Sequence, residues 1–117
     1  MNRTNRMGLA AAAALVALHV GAPLASAQET LKQRGLEVFG YWCAPCHGAG
    51  PGNPGTVALS VRYQGVKPAA LEERTDLAPE VTKVFVRSGI SIMAPFRKTE
   101  ITDADLEALA AYLAPDE

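Results

Sequence analysis

Cys43-Ala44-Pro45-Cys46-His47 governs the reading of this 117-residue chain. Two thiols three residues apart lie on one side of a single helical turn. The next residue, His47, projects its imidazole from the same side. This matches the C-x-x-C-H pattern of c-type haem attachment. The thiols form thioethers with the two vinyl groups of one porphyrin edge, and the imidazole reaches the iron. Three other readings compete. A redox dithiol uses C-x-x-C within a βαβ unit, and no such context is legible. A structural zinc ion needs four ligands, and no third cysteine exists. A disulfide between Cys43 and Cys46 would close too small a loop to stabilise much. The haem reading uses every residue type in the motif and implies one covalently bound haem c, held by Cys43 and Cys46 with His47 on the iron.

Upstream, Arg3 and Arg6 charge the start, and Gly8 to Val20 is an uncharged, mostly apolar run. Ala25-Ser26-Ala27 is an A-x-A cleavage site, so residues 1–27 read as a secretion signal and 28–117 as one small domain. The run is Ala-rich and short of the roughly 20 apolar residues a membrane span needs, so a retained anchor is the weaker reading. Cleavage removes two arginines and no acidic residue, leaving a chain more acidic than the −1 of the full sequence. That argues against nucleic acid and against an anionic membrane surface. The expected location is the periplasm, without stable membrane insertion. A domain this small often recruits a metal or a large cofactor to complete its core.

Downstream, the pattern is helical. Leu31, Leu36, Val38 and Phe39 give an imperfect apolar stripe over Thr30 to Trp42. Gly48 to Gly55 is rich in glycine and proline and reads as loop. Val57 to Val66 has strand-like stretches but no pairing partner, and reads as irregular. Pro68 to Arg74 reads as a short helix. Pro79 to Ser88 reads as a better one, with Val81, Val84, Phe85 and Ser88 on one face and Gly89 as the stop. Thr102 and Asp105 form a capping box for a last helix lined by Leu106, Leu109, Ala110 and Leu113. The expected fold class is all-α, with three to four short helices wrapped around one haem.

The second axial ligand is sought by elimination. His19, Met1 and Met7 leave with the signal, so Met93 is the only methionine and His47 the only histidine of the mature chain. Met93 lies in a loop before Ala94-Pro95. A buried core methionine, a lysine, water or an open position are the alternatives. His/Met ligation raises the reduction potential, and the soft thioether favours ferrous iron. With both axial positions filled the chain is an electron carrier and not a catalyst; an open iron would suit a peroxidase or gas sensor. A carbonyl in the following loop should orient His47 through its other ring nitrogen, with Pro54 first and Pro51 next. Arg62, Tyr63 and Trp42 are candidates to meet the haem propionates, or else surface and packing residues.

These residues together resemble the class I cytochrome c family. Gly35 and Phe39 sit one turn apart before the haem motif, Met93-Ala-Pro95 follows later, and the terminal helix ends Leu109-Ala-Ala-Tyr112-Leu113. The resemblance implies that the first and last helices cross near the haem, with Gly35 and Phe39 against Leu109 and Tyr112. Val86-Arg-Ser-Gly-Ile-Ser-Ile-Met-Ala-Pro-Phe96, followed by the capped acidic helix, is also similar to cytochrome subunits of flavocytochromes of the p-cresol methylhydroxylase type, which oxidise 4-alkylphenols such as eugenol. The chain departs from that pattern between Gly48 and Arg74, where Glu72-Glu-Arg-Thr-Asp-Leu77 reads as an added stretch. This narrower resemblance implies a flavoprotein partner that passes electrons singly to the haem, and a downstream acceptor. The competing expectation is a free shuttle between a dehydrogenase and a terminal oxidase.

Overall fold

The computed structural model describes residues 23–116. Most of the expected signal segment lies outside them. The elements in order are α1 (Pro23–Val38), a π-helical turn (Phe39–Cys43), α2 (Ala44–His47), α3 (Pro54–Tyr63), a 3-10 turn (Leu71–Glu73), α4 (Pro79–Ser88) and α5 (Asp103–Leu113). Among the described residues there is no strand, only one isolated bridge, so the all-α expectation holds. α1 begins earlier than Thr30 and runs through the expected cleavage point.

The core forms where α1 crosses α5 and α4 packs beside them. Phe39, Ile101 and Leu109 are its fully buried large side chains, with Val38, Leu77, Val86, Leu106 and Leu113 around them. Gly35 makes the crossing close. A methyl group there would stand 2.1 Å from the Ala108 carbonyl oxygen and 2.5 Å from the Tyr112 Cβ. Phe39 meets Tyr112 at a ring separation of 5.8 Å. The crossing implied by the family resemblance is therefore present.

α5 starts as its sequence requires. The Thr102 hydroxyl accepts from the Asp105 backbone N–H at 3.1 Å. The acidic residues of its early turns are neutralised from other elements: Asp103 by Arg87 and Lys98, Asp105 by Arg34, and Glu107 by Lys83.

Two expectations need correction. Val57 to Val66 is not irregular; most of it is α3. Pro54 supplies the first residue with its preset φ, and Gln64 ends the helix in the left-handed region at φ 48°. The β-branched residues hide an i, i+4 pair, Val57 and Val61, which a helix places on one face. Pro68 to Arg74 contains only the turn Leu71–Glu73. That stretch is held instead by Asp76, which pairs with both Lys67 and Arg74.

Replacing Gly35 by alanine forces the two backbones apart and should cost about 1–3 kcal/mol, read as a lowered midpoint of denaturant unfolding. Gly40→Ala, with nothing within 4 Å of the added methyl, should leave the midpoint unchanged or raise it.

Candidate haem-binding site

The C-x-x-C-H residues straddle a change of helix type. The Ala44 N–H donates to the Phe39 carbonyl, five residues back, which widens the last turn of α1 into a π-turn. Pro45 supplies the reason. It has no N–H to donate, and its ring crowds the carbonyl four residues earlier, that of Tyr41. A normal turn through Tyr41 is blocked and a wider one forms. Cys43 closes the π-turn, and Cys46 and His47 complete α2.

Cys43 is half-buried, Cys46 is exposed, and the two thiols are unbridged. Burial, and secondarily the neighbouring Cys46, pushes the Cys43 thiol up to about 12. Among the described residues no group of three or more His, Cys, Asp or Glu is arranged for a metal ion, and no βαβ unit surrounds the thiols.

The His47 ring lies against the first turn of α3. A methyl on Gly55 would stand 2.7 Å from its Cε1 and 2.9 Å from its Nδ1. Nδ1 is buried without a hydrogen-bond partner, alone in this among the described side-chain polar atoms. The expected acceptor, the Pro54 carbonyl, does not take its proton. Pro54 instead opens α3 as its first residue. Pro51 sits in the exposed loop and does not take it either. Burial lowers the His47 pKa, which favours the neutral imidazole, the form that ligates metal. The loop between motif and α3 is laced by the Thr56 hydroxyl to the Gly48 carbonyl at 2.7 Å and by the Asn53 amide to Ala49 at 2.8 Å. The sequence reading missed Gly55 and Thr56; their position in the first turn of a proline-started helix was the available signal.

Met93 is half-buried. It closes a tight hairpin with Ile90, whose backbones exchange two hydrogen bonds of 2.9 Å, and Ser91 at the tip has φ 54°. The far end of the loop is pinned by the Phe96 N–H to the Val86 carbonyl at 2.8 Å. Trp42 joins this loop to the motif: its ring meets Phe96 edge-on at 5.7 Å and Tyr41 at 4.9 Å. Trp42 is thus a bridge between the C-x-x-C-H turn and the Met93 loop. Tyr63 accepts from Arg74 at 3.0 Å and lies under both Arg74 and Lys67. Arg62 is exposed on α3.

The protein side chains fit a porphyrin. Val81, Val84 and Phe85 share a face of α4 as expected, but that face is open; Thr82 and Val86 are the residues that pack into the core. Val57 and Val61 on α3, and Ile90 and Ile92 in the methionine loop, are also exposed. Open apolar surface, together with paired thiols and an imidazole that burial keeps neutral, suits a large, flat, apolar group.

Residues 30–113 match the family model described as cytochrome c oxidase, cbb3-type, subunit III. The chain belongs to this cytochrome c family. No curated protein and no solved structure matches it. Membership carries a haem cofactor and electron transfer.

Gly55→Ala should displace the His47 ring. The expected result is a holoprotein with an altered haem absorbance and a shifted reduction potential, measured by redox titration, while Gly52→Ala, with open space around it, leaves both unchanged.

Proposed function

We propose that this chain carries single electrons in the periplasm through one haem c, joined to Cys43 and Cys46, with His47 and Met93 as axial ligands. It does so as the electron-accepting subunit of a flavoprotein that oxidises or hydroxylates 4-alkylphenols, and hands the electrons to a downstream acceptor. When bound, the haem supplies a one-electron couple. The chain's own residues fix its surroundings. Gly55 lets α3 close on the His47 ring, and the Trp42–Phe96 contact holds the methionine loop beside the motif.

The observation that carries the reading is that aromatic bridge between the C-x-x-C-H turn and the Met93 loop. It supports a closed axial pair over an open iron, and so a carrier over a peroxidase or gas sensor. The subunit role is supported by the sequence of the loop from Val86 to Phe96 and by its exposure. Ile92 is 90 % exposed, and Ala94 and Pro95 are exposed beside it. Stable interfaces are depleted of charge at their centre, and this rim is uncharged. The family description, which names an oxidase subunit, favours a second reading, a carrier that delivers electrons to a terminal oxidase. Among the described residues no helix is long and apolar enough to cross a membrane.

Met93→Ala should change the ferric spectrum and lower the reduction potential; an unchanged spectrum and potential would refute the carrier reading. Gentle purification from native periplasm over a sizing column separates the two partners. Flavin co-eluting with haem well above the monomer mass is the expected result. Haem eluting alone at monomer mass favours the carrier to an oxidase.

A further inference from the structure

The methionine loop is closed at its base by two backbone bridges, but both return to the loop itself or to α4. One side chain ties it to the last helix. Arg87, near the end of α4, donates through one terminal nitrogen to the Phe96 carbonyl at 3.2 Å and through the other to the Asp103 carboxylate at 2.9 Å. Asp103 is the first residue of α5 and takes a second cation, Lys98, at 2.7 Å. The Arg87 side chain is only 24 % exposed, whereas Asp103 and Lys98 are 62 % and 73 % exposed. The planar fork of arginine suits this double task, and a lysine cannot reproduce it. The two acceptors belong to different segments. One is loop backbone three residues beyond Met93; the other starts the helix that crosses α1.

We infer that Arg87 is a positioning residue that holds Met93 in place as an axial ligand by clasping the Phe96 end of its loop to α5. This rests on the assignment of Met93 to the iron. An exposed ion pair adds little to global stability, so the clasp acts locally. It sets how often the loop opens and the thioether leaves. The Phe96 N–H on Val86 and the Phe96 ring on Trp42 fix the same residue from other sides. Phe96 therefore carries the restraint to Met93, and Arg87 secures its free carbonyl.

The test uses the ferric holoprotein titrated with imidazole, which binds the iron only where the methionine has left. Arg87→Ala should bind imidazole roughly tenfold more tightly than the unaltered protein, the change expected when a charged hydrogen bond is lost. It should also weaken the red-region charge-transfer band that marks a methionine–ferric bond. Asp103→Asn, which leaves Arg87 and Phe96 intact, should move both in the same direction by less. Arg87→Lys should fall between Arg87→Ala and the unaltered protein. Arg34→Ala breaks the remote pair with Asp105 and should leave imidazole affinity unchanged. An unaltered affinity in Arg87→Ala overturns the inference, and so does an equal rise in Arg34→Ala, because the effect would then be general loosening. Met93→Ala is the separate control. If it matches the unaltered protein in both readouts, the axial assignment itself fails, whatever Arg87→Ala shows.

Discussion

The close approach at Gly35 sets the positions of the other parts. Because position 35 has no side chain, the backbone of α1 rests on the Ala108 carbonyl of α5. That contact places Phe39 one turn later against Tyr112 and seals the buried cluster around Leu109. The C-x-x-C-H turn follows directly, so its direction is inherited from the crossing. α4 then closes the cluster with Thr82 and Val86 and leaves its Val81, Val84 and Phe85 face open. The core thus has two sides of different character: a dry one between helices, and an apolar one that a flat cofactor can cover.

Charge organises the periphery without entering that core. The chain is nearly neutral overall, and the acidic start of α5 is met by cations from three other elements. Arg34 reaches it from α1, Lys83 and Arg87 from α4, and Lys98 from the connecting segment. Asp103 and Asp105 are held below the usual carboxylate range by these partners. The same arrangement satisfies the helix dipole and gathers the ends of α1 and α4 around one helix terminus. At the opposite end of α5, burial and then Glu72 push the Tyr112 hydroxyl up to about 12. The Tyr112 hydroxyl donates to the Glu72 carboxylate, which also ties down the stretch by which the sequence departs from the flavocytochrome pattern.

Much of this was legible in the residues. The helix from Pro79 to Ser88 was read with its observed ends because proline and glycine punctuate both. The cap at Thr102 was explicit, and the Gly35 and Phe39 crossing came from the family resemblance. α3 was missed because β-branched residues at helical spacing can be read either way in a short window. The acceptor for the His47 ring was sought at Pro54 as a loop residue, whereas Pro54 begins α3 and Nδ1 is left without a partner. The Arg87 clasp was invisible because it joins a backbone carbonyl to a side chain on another helix, a pairing that no local pattern encodes. The direction of the open α4 face was likewise beyond reach, since periodicity gives a stripe but not its neighbour.

The π-turn at Phe39–Cys43 acts as a phase adjuster between scaffold and cofactor. Each residue in a helix turns the chain by about 100°, so one widened turn re-aims everything beyond it relative to the α1–α5 crossing. The chain length from Gly35 to Cys43 is therefore a fixed gauge; one residue more or fewer would swing the thiols around the helix axis while leaving the crossing intact. The stretch from Gly48 to Asn53 is a second gauge. It is laced by Thr56 to Gly48 and by Asn53 to Ala49, and its length sets where the first turn of α3 meets the His47 ring.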